Sequence, residues 1–328
     1  MSTIHGDRDD EFLATACLVM RGSAGSAALE SLGWWELLAD LRDADSRSAV
    51  FAAFRAQGRE LAGSGALGGL LAQPFIANTA IAPSTVQAAI LRLAPGRGPV
   101  WVVVGDLEGR RLLFDLPGEG ARIVDVEADD VELHPVAIPG RTDLHEVTVD
   151  LASHQPFLPE VDAEGPRERS LYLGRVAAAA EILGAAEAAV GLAVDHAIDR
   201  EQFGRPIGTF QAVRHLLAWA TTDCVALGSV VDQAVALLDG PPPRFGQVTK
   251  ALAGRNGRRA CERSLQVLGG IGFTAEHPHH HHHSRVLMLD GLLGSSAELT
   301  PDLGTWLRTS GADPMFAAAL VPSLGGQP

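Results

Sequence analysis

The spacing of apolar residues divides the chain into a helical part, a strand-rich part and a second helical part. From about residue 11 to residue 71, apolar side chains recur every three or four residues, as in helices, and the glycine-rich residues 63–69 predict a break. Short β-branched and apolar runs, separated by Gly, Asp and Pro, follow at residues 100–104, 111–114, 122–124 and 146–149. They predict a small antiparallel sheet. Beyond Pro166 the helical spacing returns and continues to about Arg308.

The second helical part has the pattern of a four-helix bundle. Two long helices are predicted, one at residues 175–196, which are rich in small side chains, and one at residues 211–239. In the second, small and apolar residues recur every three or four positions between Val213 and Leu238, which marks one buried face. The predicted fold class is mainly α with a small β domain. The predicted divisions are a reduced N-terminal helical domain at 1–80, a middle antiparallel β domain at 81–160, a C-terminal helical bundle at 161–310 and a tail at 311–328.

Composition and charge narrow the classes of partner. The net charge of −14 argues against a nucleic-acid surface, because such a surface needs a basic stripe. A phosphate group would have to be held by a local arginine or by a helix N-terminus. The three cysteines lie far apart without a CxxC pair, which argues against a disulfide framework and fits a reducing cytosol. The polar, acidic start does not resemble a signal peptide, and no apolar run is expected to reach membrane-spanning length, so we expect a cytoplasmic protein.

The turn between the two long helices carries the first candidate chemistry. Phe203, Gly204 and Pro206 interrupt the helical pattern, because Pro lacks a backbone donor and Gly adopts conformations that other residues avoid. The turn therefore presents Arg200 and Gln202 at the tip of a helical hairpin. An exposed arginine there offers a planar fork suited to a phosphate or a carboxylate. The alternative is an ordinary corner between two helices with a solvated charge cluster.

Two motifs in this region resemble the signature sequences of the acyl-CoA dehydrogenase family. The first is Arg-x-Gln-Phe-Gly-x-Pro-Ile at residues 200–207, followed by Phe-Gln at 210–211. The second is Gln-Val-Leu-Gly-Gly-Ile-Gly-Phe at 266–273, followed by Glu-His-Pro at 276–278. The resemblance implies a helical N-terminal domain, a middle β domain and a C-terminal four-helix bundle. It also implies FAD-dependent α,β-desaturation of an acyl-CoA thioester, with an electron-transfer flavoprotein or a similar acceptor.

The resemblance assigns residues to the cofactor. It implies FAD contacts by Arg200, Gln202, Phe203, Gln211, Gln266, Gly269 and Gly270. The first four belong to the turn and the helix start at the pyrophosphate of an FAD that is shared with a neighbouring subunit. The last three lie along the adenosine half, where a glycine backbone can approach a dinucleotide closely. A plain helix C-cap is the alternative explanation of the glycine pair.

The catalytic base of the family is missing from both places where the resemblance puts it. The Glu-Gly-Thr triplet of most members falls on Leu-Gly-Ser at residues 293–295, and the position used by a minority falls on Gly174, directly before Arg175. Neither Leu293 nor Gly174 takes a proton, so no catalytic residue is assigned. Asp290, about one helical turn from Leu293, is the alternative for a relocated base. Otherwise it is a solvated or capping residue.

The contacts that family members make to the ring of their own FAD are missing as well. Residues 73–80 stand near the expected place of a Thr-Glu-Pro…Gly-Ser-Asp segment, and the valine neighbours of Trp101 do not fit the expected Trp-x-Thr/Ser strand. The chain therefore resembles the short subunits of actinobacterial heterotetrameric (α2β2) acyl-CoA dehydrogenases of steroid or sterol side-chain catabolism. A longer partner subunit would supply the glutamate base and the ring contacts, and would bind most of the acyl-CoA substrate.

Two other hypotheses stay open at this point. A homomeric dehydrogenase would use Asp290 or Glu276 as its base. A degenerate scaffold or metal-binding protein would use the histidine run at residues 277–283, which only Pro278 interrupts. Successive residues of a helix point in all directions, so only pairs such as His279 and His283 share a face, and no metal site is predicted. We expect the run at a surface or interface junction of a loop and a helix, where its imidazoles would charge together on mild acidification.

Overall fold

The computed structural model describes residues 3–22, 25–94, 98–105, 107, 110–127, 131–138 and 144–310. The helices in these ranges are α1 Thr3–Gly22, α2 Gly25–Ser31, α3 Trp34–Ala39, α4 Ala44–Glu60, α5 Ala66–Ile76, α6 Glu160–Asp199, α7 Gln211–Ala236, α8 Phe245–Leu268, α9 His279–Asp290 and α10 Ser296–Thr309. The strands are β1 Val86–Ala88, β2 Ile90–Ala94, β3 Gly98–Val104, β4 Arg111–Leu116, β5 Gly120–Asp125, β6 Glu132–Pro135, β7 Leu144–Thr148, β8 Glu201–Gln202 and β9 Arg205–Pro206. Helices, strands and helices follow one another in the predicted order. The predicted tail at 311–328 lies outside the described residues.

α4 and α6 cross with their backbones in contact. A Cβ atom on Gly58 would lie 1.9 Å from the carbonyl oxygen of Glu181, and one on Gly184 would lie 1.9 Å from the carbonyl oxygen of Arg55. Only glycine fits at either position. Beside the crossing, the Arg55 guanidinium donates two hydrogen bonds to the Glu187 carboxylate, at 2.9 and 2.6 Å. The two glycines thus let the N-terminal helices pack directly on the long helix of the C-terminal part.

A buried ion pair joins α9 to the same crossing. The side chains of Arg285 and Glu181 are 0% and 1% exposed and form a salt bridge. Gln57 of α4 donates to the second oxygen of Glu181 at 2.8 Å, and the Arg285 guanidinium also donates to the carbonyl oxygens of Leu61 and Ala62, each at 3.0 Å. Removing one partner of such a pair leaves an uncompensated charge in the core, at a cost of about 3–5 kcal/mol.

Strands β1 to β7 form two sheets in place of the single antiparallel sheet that the sequence predicts, and β8 and β9 pair separately. One sheet has the order β1-β4-β5, with β1 parallel to β4, and the other has the antiparallel order β2-β3-β7-β6. The prediction missed β1, β2 and β6. β1 is only three residues long and buried throughout, and β6 is a largely exposed edge strand with the sequence Glu-Leu-His-Pro. Neither segment shows the alternation of apolar and polar residues by which a strand is recognised.

The predicted glycine break at residues 63–69 is wrong in its second half. α5 begins at Ala66 and continues through Gly68, Gly69 and Pro74. A Cβ atom on Gly68 would lie 2.9 Å from Oε1 of the buried Gln87. The glycine is thus a packing position against β1, and tertiary contact outweighs its poor helix propensity.

α6 is the central helix and is longer than predicted. It has 40 residues and begins at Glu160, fifteen residues before the predicted start at Arg175. Its first turns are held by Arg167, which donates to Glu160 at 2.6 Å and to Asp115 of β4 at 2.7 Å. The Arg167 contact holds the pKa of the Glu160 carboxyl down at about 2. Such tertiary ion pairs are not visible in helical spacing.

α6 also corrects the expectation that no apolar segment reaches membrane-spanning length. It is long and apolar enough to cross a membrane, but 78% of its apolar window is buried inside the fold. Its apolar character is therefore explained by packing against α4, α5, α7, α8 and α9.

Candidate functional site

The motif at residues 200–207 forms a rigid hairpin tip between α6 and α7. Glu201 pairs with Pro206 and Gln202 with Arg205, so that Phe203 and Gly204 form a two-residue turn. Both turn residues have positive φ, 57° and 76°, as a type I′ turn requires. Phe203 stands 93% exposed at the tip.

Aromatic and backbone contacts hold this tip in place. The guanidinium carbon of Arg205 lies 4.3 Å from the ring centre of Phe210, and the ring of Phe203 meets the same ring edge-on at 6.1 Å. The Arg200 amide donates to the His196 carbonyl oxygen at 2.9 Å, and its own carbonyl oxygen accepts from Ile207 at 2.8 Å. The Arg200 side chain is exposed and makes no hydrogen bond or ion pair with the part of the chain that is described. A fixed backbone thus carries a guanidinium that is available to an external anion.

The second motif lies against the base of this hairpin. Ile207 of the turn and the first turns of α7 pack against Ala193 and Ala197 of α6 and against Val267 and Leu268 of α8. This apolar cluster joins the two sequence motifs into one surface. Four of the predicted cofactor residues, Arg200, Gln202, Gln211 and Gln266, are exposed there.

The two glycines of the second motif have different explanations. Gly269 has φ 64° at the C-terminus of α8, and its amide donates to the Leu265 carbonyl oxygen, so the helix end itself requires glycine there. Gly270 is exposed, its φ is not positive, and a Cβ atom on it would meet nothing within 4 Å. Contacts among the described residues therefore do not explain why residue 270 is a glycine. Its bare backbone is open to a close-approaching molecule.

The two predicted base positions face each other. A Cβ atom on Gly174 would lie 2.8 Å from Cδ1 of Leu293 and 2.4 Å from Cδ2 of Leu71. Leu293 has φ 59° and Gly294 has φ 96°, so a leucine occupies a left-handed conformation at the position to which the sequence resemblance assigns the family's glutamate. Arg175 donates from Nε to the Leu293 carbonyl oxygen at 3.1 Å, and burial lowers the pKa of this arginine.

A cavity of about 240 Å³ lies beside these positions. Its walls are mostly apolar and come from α5, α6, β1, β2, β3, β4 and the loop after α9, with Leu71, Phe75, Ile90, Leu91, Trp101 and Leu293 among them. The acidic residue in its lining is Asp115, which accepts two hydrogen bonds from Arg167, both at 2.7 Å. Both oxygens of the Asp115 carboxylate are therefore engaged by Arg167.

Asp290, the proposed relocated base, is engaged in holding the loop that follows it. Its carboxylate accepts from the Ser296 amide at 2.9 Å and from the Ser296 hydroxyl at 3.0 Å, at the start of α10. The fully buried Lys250 lies 3.6 Å from the same carboxylate and donates to the carbonyl oxygens of Asp290 and Gly294 at 2.9 and 3.0 Å. Burial lowers the pKa of Lys250 to about 8. Glu276, the second alternative, is exposed in the turn before α9.

The histidine run is more buried than the sequence suggests. It opens α9, but His279 and His282 are only 1% and 6% exposed, so the expectation of a surface junction is wrong for these two. His279 Nε2 lies 3.0 Å from the Cys261 carbonyl oxygen, and its ring centre lies 6.0 Å from that of His283. Among the described residues no group of three or more His, Cys, Asp or Glu side chains is arranged to hold a metal ion.

Comparison with known proteins agrees with this geometry. The profile of the family described as "Acyl-CoA dehydrogenase, C-terminal domain" matches residues 167–303. This segment is thus similar to the C-terminal domain of the acyl-CoA dehydrogenase family. The chain is 32% identical to acyl-CoA dehydrogenase FadE34 of Mycobacterium tuberculosis over 258 residues, which are 77% of this chain and 32% of that protein. It is 34% identical to benzylmalonyl-CoA dehydrogenase of Aromatoleum aromaticum over 128 residues, 38% of this chain and 34% of that protein. The chain thus spans about a third of the length of these relatives.

Solved structures extend the likeness to the whole fold. A variant of the Tcur3481-Tcur3483 steroid ACAD superposes with a TM-score of 0.75 at 24% identity, over 94% of this chain and 99% of that one. The ChsE4-ChsE5 complex from Mycobacterium tuberculosis gives 0.70 at 18% identity, over 95% and 99%. Butyryl-CoA dehydrogenase from Megasphaera elsdenii gives 0.70 at 17% identity, over 92% and 98%. The predicted fold class, mainly α with a small β part in the acyl-CoA dehydrogenase arrangement, is confirmed.

Proposed function

We propose that this chain is a non-catalytic subunit of an FAD-dependent acyl-CoA dehydrogenase. In this proposal it shares an FAD with a longer partner subunit, in an α2β2 assembly, and the partner carries the glutamate base. The proposal rests on the difference between two regions of the chain, the hairpin tip at residues 200–207 and the two predicted base positions. A fixed, exposed hairpin tip has the residues for a phosphate, whereas both base positions hold side chains that cannot take a proton.

The residues around the tip fit the nucleotide end of FAD. Arg200 would pair with the pyrophosphate, with Gln202, Phe203 and Gln211 beside it. Its guanidinium has no partner among the described residues, and a charge-assisted contact to phosphate is of the strong kind. Gly270 and its neighbours Gly269 and Gln266 would line the adenosine half, where the missing side chain of Gly270 leaves room.

The cavity beside Gly174 does not fit a flavin ring together with an acyl thioester. Its volume of about 240 Å³ lies below the roughly 300–1,000 Å³ usual for small-molecule sites. Leu71 and Leu293 close over Gly174, and Asp115 is bound to Arg167. In the proposal, therefore, this chain lends residues to a flavin whose reactive ring lies in the partner.

The roles of this chain's residues follow from the reaction. When bound, FAD would supply the acceptor for the hydride that leaves the β-carbon of the thioester, and a carboxylate would have to take the α-proton. Arg200 and the turn would hold and orient the phosphates, and the exposed ring of Phe203 would shield the cofactor from water. Proton transfer is left to the partner, since Leu293 and Gly174 have no acid–base group.

The comparisons support a two-chain assembly and suggest its substrate. One similar structure is named as the complex of ChsE4 with ChsE5, and another as the steroid ACAD of Tcur3481 with Tcur3483. We infer a steroid-derived acyl-CoA thioester as substrate, bound mainly by the partner, and an electron-transfer flavoprotein or similar protein as acceptor. We also infer a cytoplasmic location.

The test is expression of the chain alone and together with a longer acyl-CoA dehydrogenase that has the glutamate. We expect the isolated chain to lack flavin, and the co-purified complex to absorb visible light as a flavoprotein and to desaturate a steroid side-chain CoA thioester. An isolated chain that binds FAD and desaturates the thioester by itself would overturn the proposal.

A further inference from the structure

The outer face of α7 is uncharged and partly apolar. Val225 and Trp219 are 63% and 60% exposed there, although both side chains are large and apolar. Between Arg214 and Asp232 the sequence has one charged residue, Asp223, and this residue is buried on the inner face. An extended apolar patch on a helix surface is typical of a site that another protein surface covers.

The hydroxyl groups on this face already have partners within α7. Thr221, Thr222 and Ser229 donate to the carbonyl oxygens four residues before them, at 2.9, 2.8 and 3.0 Å. All three side chains belong to exposed residues. Burying a polar group is costly when its hydrogen bond is lost, and here these bonds would be kept. Covering the face would therefore leave the three donors satisfied.

The two ends of the face carry opposite charges. Arg214 and Asp232 are both exposed and lie 18 residues apart in α7, which is about five full turns, so they lie on the same side of the helix. Arg214 makes no ion pair with the part of the chain that is described. A carboxylate accepts several hydrogen bonds, so Asp232 can receive a further guanidinium in addition to its local contacts. The face is thus positive at its start, uncharged in its middle and negative at its end.

This charge pattern is complementary to a reversed copy of itself. We propose that two copies of this chain pair through α7, with the two helices antiparallel. A two-fold axis beside Asp223 then brings the same face of both copies together. The residues that face each other in this register are Arg214 with Asp232, Ala218 with Gly228, and Thr221 with Val225. A parallel pair would instead place each Arg214 against another Arg214.

The net charge of the chain also favours this face over others for self-association. At −14, two copies repel each other, and a contact through an uncharged face with complementary ends adds least to that repulsion. The pairing rests on the proposed function for the presence of two copies in one α2β2 assembly. It adds the surface through which these two copies meet.

A charge exchange tests the pairing in the full-length chain. We expect Arg214→Glu, and separately Asp232→Arg, to raise the dissociation constant of the pair about tenfold at low ionic strength, because each pair contains the contact twice. The double variant should return to within about threefold of the parent, because the complementary ends are restored in reverse. Sedimentation of a concentration series measures the constant.

The control and the opposing outcome of this experiment are well defined. Arg308→Glu makes the same change of net charge at an exposed position of α10, and it should leave the dissociation constant unchanged. If the double variant is no better than the single variants, the face meets a surface other than its own copy, and the proposal is overturned. A parent chain that stays monomeric in the complex with its partner would overturn it as well.

A covalent link separates this proposal from the proposed function. The three native cysteines are buried, so Thr222→Cys adds one reactive thiol beside the axis, and mild oxidation should join two copies of this chain. Thr300→Cys is the matched control in α10, since Thr300 is exposed and donates to the Ser296 carbonyl oxygen at 2.7 Å in the same way. A flavin-free preparation that forms the Thr222→Cys link would support the pairing and overturn the proposed function. A flavin-containing complex that does not form it would overturn the pairing alone.

Discussion

The Leu293 side chain fills the space in which a side chain at position 174 would lie. A Cβ atom on Gly174 would come within 2.8 Å of Leu293 Cδ1. These are the two alternative base positions that the resemblance assigns, and the structure makes them neighbours. Neither side chain can accept a proton, and Leu71 packs against the same position.

Leu293→Glu is expected to give no dehydrogenase activity in the isolated chain. The new carboxylate would stand beside a small, mostly apolar cavity whose two arginines are already engaged, Arg175 by the loop backbone and Arg167 by Asp115. We expect lower stability and no thioester desaturation, measured with an artificial electron acceptor. Turnover in the isolated variant would show that a flavin ring binds in this chain after all.

Asp290→Asn separates a structural aspartate from a catalytic one. The substitution removes the charge that faces the buried Lys250 but leaves an oxygen for the Ser296 amide. We expect a loss of about 1–3 kcal/mol in the free energy of unfolding, since the ammonium loses its counter-charge. The turnover number of the complex with the partner should stay unchanged. If the variant folds normally but its complex no longer turns over substrate, Asp290 would be identified as the catalytic base.

Arg200→Ala should weaken FAD binding by the complex. A charge-assisted hydrogen bond contributes about 1.5–3 kcal/mol, so the dissociation constant should rise roughly 10- to 150-fold. The measurement is the FAD-to-protein ratio after dialysis, from visible absorbance. Arg42→Ala is the control, because Arg42 is exposed near Gly165, at the opposite end of α6. Equal flavin contents in the two variants would remove Arg200 from the cofactor site.

Gly184→Ala and Gly191→Ala should have opposite effects on stability, although both lie in α6. A methyl at Gly184 would meet the Arg55 carbonyl oxygen at 1.9 Å, whereas one at Gly191 would meet nothing within 4 Å. We expect the first to lower the free energy of unfolding by about 1–3 kcal/mol through overpacking, and the second to raise it by up to about 1 kcal/mol through helix propensity. Urea unfolding of both variants measures the difference. A tolerated Gly184→Ala would contradict the close crossing of α4 and α6.

The histidines at the start of α9 predict a loss of stability on acidification. Burial is the main cause that lowers the pKa of His279 and of His282 from the usual 6.5 to about 4. The unfolded chain therefore binds these protons more readily than the folded chain. The contribution of the two neutral histidines to the free energy of unfolding is therefore fully present above pH 6.5. It is lost as the pH falls from 6.5 towards 4, by about 1.4 kcal/mol per unit of pKa shift for each histidine.

His282→Leu tests that pH dependence. Its Nδ1 has no hydrogen-bond partner among the described residues, and its charged form would be opposed by Arg285 and by His279. We expect the variant to unfold with a smaller change in urea midpoint between neutral and mildly acid solution than the parent chain. The same slope in both proteins would exclude His282 as a source of the effect.

The order of helices and strands could be predicted from the sequence because each part has its own spacing of apolar residues. The bounds of α6 and the pairing of β1 with β4 could not, because they depend on contacts between distant segments. Arg167 extends α6 backwards by binding Asp115 on a strand 52 residues away. β1 is recognisable only through its parallel partner, since three buried residues show no pattern of their own.

Only the part of the candidate site that is formed by the two sequence motifs could be predicted from the sequence. The two motifs named the residues that the Ile207 cluster brings together. The burial of His279 and His282 was missed, because a run of identical residues shows no apolar contrast. A signal was present three positions further on: Arg285, Val286 and Leu289 continue the spacing of His279 and His282 along one buried face.

The length of α6 fixes the distance between the Gly174 region and the Arg200 hairpin, whichever protein the proposed partner is. Gly174 and Arg200 are separated by 26 residues of a single rod, which at 1.5 Å per residue is about 39 Å. A single dinucleotide is too short to touch both points. In the proposed function, therefore, the two ends of α6 serve different flavins, and each catalytic centre combines the Gly174 end of one such helix with the Arg200 end of another.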